Sequence, residues 1–191
     1  MIIGITGGSG CGKTTALSAI SQLGGLVIDC DAVYHDLLRT DCKLLSAIEM
    51  RFPGTVAQDV LDRKKLASIV FSDENALRDL NAITHTAVKQ KVLEMLATCP
   101  TFAAIDAIGL FESGLNQLCD VTVAVTAPED VRIDRLTARD AITEAQAQAR
   151  IYAQRKQSDF ITLCDYHLEN NGTQAAFHEK CLAFFRSISI M

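Results

Sequence analysis

At 191 residues, 49% of them hydrophobic, the chain has enough apolar material for one well-buried domain with small lobes or insertions. A net charge of −5 leaves no broad basic surface for a nucleic-acid backbone, so no nucleic acid is expected among its partners. Its cysteines (Cys11, Cys30, Cys42, Cys99, Cys119, Cys164 and Cys181) are odd in number, scattered and without a C-x-x-C pair, which excludes a zinc finger or disulfide frame and reads as reduced thiols, mostly buried. No basic region precedes the first apolar residues and no apolar run approaches membrane-spanning length, so a soluble cytoplasmic protein with no membrane partner is expected, a monomer or small homo-oligomer.

The apolar run Met1 to Ile5 predicts a strand, and Thr15-Ala16-Leu17-Ser18-Ala19-Ile20 suits the start of a helix. Between them lies Gly7-Gly8-Ser9-Gly10-Cys11-Gly12-Lys13-Thr14, which fits G-x-x-x-x-G-K-[ST] in the strand, loop and helix context that gives the pattern its meaning. Such a loop turns successive backbone N–H groups around phosphate oxygens, and the helix N-terminus behind it adds partial positive charge. Gly8, Ser9, Gly10, Cys11, Gly12, Lys13, Thr14 and Thr15 are therefore candidate nucleotide-binding residues. Lys13 would reach the β- and γ-phosphates, and the Thr14 hydroxyl would ligate a Mg²⁺ that bridges them. Gly8 and Gly10 partly imitate a dinucleotide site, but the Lys-Thr ending argues against one.

After a Gly24-Gly25 break, Leu26-Val27-Ile28 predicts a second buried strand ending at Asp29-Cys30-Asp31. Ligands of open parallel sheets gather outside the carboxyl ends of strands, so these acids share a rim with the phosphate loop. If the strand continued through Asp31, alternation would point both acids the same way. Asp31 is the candidate for holding a substrate hydroxyl or a metal-bound water, or else a solvated first-turn acid; Asp29 is expected to cap the helix 32–38.

From Cys42 to Thr98 apolar residues recur at helical spacings, with no convincing strand alternation, and predict a helical insertion over the rim. Pro53-Gly54 punctuates it, and Ser72 is expected to cap a long helix starting near Asp73. Phe102 to Ile105 predicts a strand ending at Asp106, placed to orient the Mg²⁺. Glu112 reads as a helix-start acid or a substrate contact. Val121 to Val125 predicts a further strand, followed by Pro128, which suits the first turn of a helix. That helix brings Arg132, Arg135 and Arg139 near one another; a second, with a capping box at Thr143 to Gln146, leads to Arg150, Arg155 and Lys156. The pair reads as a lid closing arginines over ATP, against a solvated surface paired with Asp130, Asp134, Asp140 and Glu144. A last strand at 166–169, a turn at Asn170-Asn171-Gly172 on the adenine side and a closing helix 174–186 complete the chain. His35, His167 and His178 have no chemistry assigned by pattern.

With these residues placed, the chain resembles the dephospho-CoA kinase family, itself similar to nucleoside monophosphate kinases, over nearly its whole length. The resemblance is carried by Gly4-Ile5-Thr6-Gly7-Gly8 with the phosphate loop, Val27 to Asp31 with His35, Leu61-Asp62-Arg63 before Val70-Phe71, His85, Leu110-Phe111-Glu112, Arg135 with Arg139-Asp140, Arg150 with Gln154, and Asp165 with Asn170 and Gly172. It implies a single α/β phosphate-loop kinase domain over 1–191: a three-layer α/β/α fold with about five parallel strands, a helical CoA-binding insertion at 40–100 and a helical lid at 137–160. It also implies ATP-dependent phosphorylation of the ribose 3′-hydroxyl of dephospho-CoA, with ATP and Mg²⁺ required. By that analogy Asp31 positions or deprotonates the hydroxyl, while Lys13, Arg135 and Arg139 stabilise the transferring phosphoryl. Arg139 and Asn170 also lie against the nucleotide, Thr14 and Asp106 serve the metal, and His35, Leu61, His85, Leu110 and Glu112 lie near the substrate. The chain departs from the family pattern at Cys30, at Thr86 where proline is usual, and at Ile108-Gly109 where Pro-Leu is usual.

Two rival readings are a kinase of another small metabolite, which the loop and lid do not distinguish, and a nucleotide-dependent switch or assembly ATPase. No N-K-x-D base-reading motif occurs, and Ala107 follows Asp106 where a motor ATPase would carry a water-activating Glu.

Overall fold

The computed structural model describes residues 1–98 and 102–189; Cys99 and the end of the insertion expected to reach residue 100 lie outside the described residues. In chain order the elements are β1 (Ile2–Thr6), α1 (Lys13–Gln22), β2 (Leu26–Asp29), α2 (Cys30–Thr40), α3 (Cys42–Arg51), β3 (Val56–Ala57), β4 (Val60–Leu61), α4 (Arg63–Val70) and α5 (Glu74–Ala97). They continue with β5 (Ala103–Asp106), a 3₁₀ turn at Leu115–Leu118, β6 (Val121–Thr126), α6 (Glu129–Asp140), α7 (Glu144–Tyr152), α8 (Gln157–Leu163), β7 (Tyr166–Glu169) and α9 (Gln174–Ser189). They form two compact units, Met1–Ile28 with Cys99–Met191, and Asp29–Thr98.

The first unit is built on a five-stranded sheet in the order β2-β5-β1-β6-β7, with helices on both sides. β1 is central and parallel to both neighbours. Its side chains alternate between faces. Ile3 and Ile5, fully buried, join a core with Val123, Val125 and Leu168 of the sheet, Ala16, Ala19 and Ile20 of α1, and Phe177, Leu182 and Phe185 of α9. Gly4, on the other face, lies under the Leu110 side chain and the Cys119 thiol, and burial pushes that thiol up to about 12. Continuous apolar strands of this kind are what a sheet covered on both faces requires.

α6 and α7 pack together over a small core of their own, Ile133, Leu136, Ala147 and Ile151, with Ile142 against it. The expected capping box is present: Gln146 N–H donates to Thr143 Oγ1 at 3.3 Å, and Thr143 N–H to Gln146 Oε1 at 2.9 Å. Pro128 stands one residue earlier than expected, at the N-cap of α6. Its missing N–H costs nothing there, as in a first turn.

In the second unit α5 is the spine, with α2, α3 and α4 packed against it. Ala76, Leu80, Thr84, Val88 and Val92 form its buried stripe. Two sequence expectations are corrected here. Asp73, not Ser72, caps α5, its carboxylate accepting from Asn75 N–H at 2.8 Å. Ser72 instead donates back to the carbonyls of Ser68 (3.0 Å) and Ile69 (2.9 Å), closing α4. The stretch 42–98 is also not purely helical, because β3 and β4 pair in an antiparallel hairpin. Its turn residues Gln58 and Asp59 both have left-handed φ, 52° and 60°. Such a hairpin is too short for alternation to register and lacks the Asn-Gly signature. Its stem is tied by Glu49, which accepts from Gly54 N–H at 2.5 Å and Val56 N–H at 2.7 Å; these donors hold its carboxyl below the usual range.

Candidate active site

β1 delivers the chain into the glycine-rich loop at the carboxyl edge of the sheet. Two glycines there are dictated by geometry. At Gly7, with φ of 146°, a Cβ would overlap the Val125 carbonyl; at Gly12, with φ of 99°, it would overlap the Asn170 amide. Gly12 is also the N-cap of α1, so Lys13 and Thr14 present their N–H groups at a helix N-terminus, while the Thr15 N–H donates to the Gly12 carbonyl at 3.0 Å. The Cys11 thiol is buried beneath the loop, and burial pushes it up against the opposing pull of Lys13.

Lys13 folds back over the loop. Its Nζ donates to the Gly7 carbonyl at 3.1 Å and lies 4.0 Å from Asp106 Oδ1. Register explains the second distance, since Asp106 pairs with Ile5, just before β1 gives way to the loop. The structure thus sets the lysine beside the strand-end acid, and Thr14, exposed, follows the lysine in the first turn of α1. Among the described residues no group of three or more His, Cys, Asp or Glu side chains is placed to hold a metal. One hydroxyl and one carboxylate suit Mg²⁺, which keeps most of its water and takes phosphate oxygens as ligands, and do not suit a metal caged by protein alone.

The outer side of the loop is occupied by arginines from α6. Arg135 Nη1 donates to the Gly10 carbonyl at 3.2 Å and reaches the Cys11 carbonyl at 3.5 Å, while its Nη2 donates to Asn170 Oδ1 at 3.2 Å. Asn170, buried just beyond β7, returns its own amide to the Cys11 carbonyl at 2.9 Å. Arg132 Nε donates to the Ser9 carbonyl at 2.8 Å. Arg132 and Arg135 thus both face the loop instead of standing free. Arg139 is exposed and paired with Asp140 at 2.7 Å; with Arg150 it holds the Asp140 carboxyl down at about 2.

Gln154, between α7 and α8, enters the sequence reading only as part of the family resemblance and with no site role, yet its Oε1 accepts from Ser9 N–H and its Nε2 donates to Ser9 Oγ, each at 2.8 Å. No local pattern signals a contact between residues 145 positions apart. Glu112 is paired with Arg155, which donates from Nε at 3.0 Å and Nη2 at 2.5 Å. Leu110 is fully buried over Gly4. A cavity of about 750 Å³ opens beside α1 and α9, lined by Thr14, Thr15, Ser18, Thr173, Gln174 and His178.

The remaining candidates belong to the second unit. β2 stops at Asp29, so the alternation that would have aligned Asp29 with Asp31 does not extend that far. Asp29 caps α2 as expected, its carboxylate accepting from Ala32 N–H at 3.0 Å. Asp31 is exposed in the first turn of that helix. His35 is exposed one turn on, beside the half-buried Tyr34, whose hydroxyl burial pushes up. Leu61 is half-buried on β4 and His85 half-buried on α5; α2 packs against both of these elements.

This fold and loop define a phosphate-loop kinase. The family model for dephospho-CoA kinases matches residues 1–176. The dephospho-CoA kinase of Geobacillus kaustophilus is 35% identical over 97% of this chain and 96% of its own length. A solved Thermus thermophilus structure superposes with a TM-score of 0.82 at 31% identity, covering 98% of this chain and 96% of that one. The Campylobacter jejuni dephospho-CoA kinase superposes with 0.68 at 25% identity, again over 98% and 96%. The chain belongs to the dephospho-CoA kinase family, ATP-using phosphotransferases whose acceptor is a hydroxyl of dephospho-CoA.

Proposed function

We propose that the protein transfers the γ-phosphoryl of ATP to the ribose 3′-hydroxyl of dephospho-CoA, yielding CoA and ADP in the cytoplasm. The observation that carries this reading is a complete phosphate loop, with Lys13 lodged between Gly7 and Asp106, in a chain matching the family over residues 1–176. The loop from Gly8 to Thr15 binds the phosphates, through the N–H groups that its internal bonds and Gln154 leave to the ligand, those of Gly10, Gly12, Lys13 and Thr14 among them. The adenosine takes the cavity beside α1 and α9, and Asn170 serves the nucleotide through its hold on the loop. Thr14 and Asp106 would hold Mg²⁺, directly or through water, and the ion would there neutralise phosphate charge.

Asp31 accepts the proton of the acceptor hydroxyl as its oxygen attacks the γ-phosphorus and the bond to the β,γ-bridging oxygen breaks. Lys13, Arg135 and Arg139 stabilise the charge that spreads over the phosphoryl oxygens, the main task of a protein in this chemistry. Arg139 leaves Asp140 to do so, as residues 137–160 close as a lid. The insertion 40–100 binds the CoA moiety, with His35, Leu61, His85 and Glu112 at the substrate and the buried Leu110 backing it. Magnesium and ATP with purified protein test this: ADP release should appear with dephospho-CoA and not with CoA or nucleoside monophosphates. Release independent of dephospho-CoA would overturn it.

A further inference from the structure

Ser9, at the crest of the loop, is held at each polar group. Arg132 Nε takes its carbonyl, Gln154 Oε1 its N–H and Gln154 Nε2 its hydroxyl, all at 2.8 Å. Arg132 is only 6% exposed, its backbone lies against Gly10, and its guanidinium lies against Gly8. Its Nη2 has no hydrogen-bond partner and the side chain no ion pair among the described residues. Burying a guanidinium without a carboxylate is costly unless something else compensates. Arg132 therefore sits behind the loop as a buried positive charge with no ion-pair partner among the described residues, Glu129 attracting it only from beyond ion-pair distance.

The peptide plane gives the contact a further consequence. In a trans peptide the carbonyl of one residue and the N–H of the next point in opposite directions. Pinning the Ser9 carbonyl to Arg132, outside the loop, turns the Gly10 N–H inward. Arg135 takes the Gly10 and Cys11 carbonyls in turn, which leaves the Gly12 N–H on the opposite side of its peptide, while the Cys11 N–H closes a turn onto the Gly8 carbonyl at 3.3 Å.

We propose that Arg132 is a positioning residue of the phosphate site: it fixes the Gly10 N–H toward the terminal phosphates of the nucleotide and supplies buried positive charge behind the loop crest. The proposal rests on the kinase reading only in taking the ligand to be a nucleoside triphosphate. It acts through the backbone, so its effect follows phosphates and not the adenosine or the acceptor.

Titrations of Mg-ATP, ADP and adenosine against the intact protein, Arg132→Met and Arg132→Lys test this without any acceptor. The charged hydrogen bond predicts that Arg132→Met weakens ATP binding by about tenfold or more, with adenosine unchanged. In turnover, kcat should fall while KM for dephospho-CoA holds. Arg132→Lys keeps a cation and a donor in a similar volume, so it should fold and recover much of the loss. Unchanged ATP affinity in Arg132→Met, equal weakening for adenosine and ATP, or Arg132→Lys as poor as Arg132→Met in a folded protein would each overturn it. Wild-type protein that binds Mg-ATP but ignores dephospho-CoA would instead overturn the acceptor assignment, with the Arg132 comparison still decisive.

Discussion

Replacing Asn170 by alanine cuts the latch between the end of the sheet and the phosphate loop. Asn170 is 3% exposed, donates to the Cys11 carbonyl at 2.9 Å and accepts from Arg135 Nη2 at 3.2 Å. The backbone bond from Asn170 N–H to the Thr126 carbonyl, 2.7 Å, survives, so the change is confined to the side chain. The neutral bond contributes about 1 kcal/mol and the charge-assisted one about 1.5–3 kcal/mol. Truncation leaves the Cys11 carbonyl with only the long 3.5 Å contact from Arg135, so the loss should be about 2–4 kcal/mol. For a chain of this size each kcal/mol moves Tm by roughly 2–4 °C, giving a drop on the order of 5–10 °C by calorimetry. ATP affinity should fall with it, because the Cys11 carbonyl and Gly12 N–H share one peptide plane. Asn170→Asp keeps an acceptor for Arg135 but loses the donor to Cys11, and should fall between. A Tm within about 1 °C of wild type, with unchanged ATP affinity, would refute the latch.

Lys13→Ala and Asp31→Asn should each lower kcat by roughly 10²–10³-fold with unaltered circular dichroism; near wild-type turnover in Asp31→Asn removes its assigned role. Gly12→Ala places a side chain at φ of 99° and against Asn170, so it should cost about 1–3 kcal/mol in denaturant unfolding and weaken ATP binding. Asp140, held at about 2 by Arg139 and Arg150, stabilises the fold above its ordinary value of 3.8 and loses that contribution as pH falls toward 2. The stability difference between wild type and Asp140→Asn should therefore shrink over that interval, and a difference that grows on acidification would contradict the pairing.

Local signals were legible wherever the cause lies within a few residues. Val27 and Ile28 announce a strand and Asp29 a cap because the partner N–H, that of Ala32, is three residues away. Thr143 and Gln146 announce a capping box for the same reason. Ser72 misled because serine and aspartate stand side by side before α5, and only the position of the end of α4 decides which is the cap. The β3–β4 hairpin was invisible because its strands are two residues long and its stem depends on Glu49, back in α3.

The phosphate loop, its flanking strand and helix, the acid ending β5 and the alternation of strands and helices are all legible in the order of residues, since each depends on backbone conformation and side-chain period over a short span. Tertiary structure alone decided what the α6 arginines serve. Helical spacing places Arg132 and Arg135 on neighbouring turns, but that they face the loop carbonyls follows from α6 packing beside a loop more than a hundred residues earlier. Gln154 on Ser9 and Asn170 on Cys11 are of the same kind: polar groups matched across the fold, where burial makes each unsatisfied partner costly and no neighbour in sequence carries the signal.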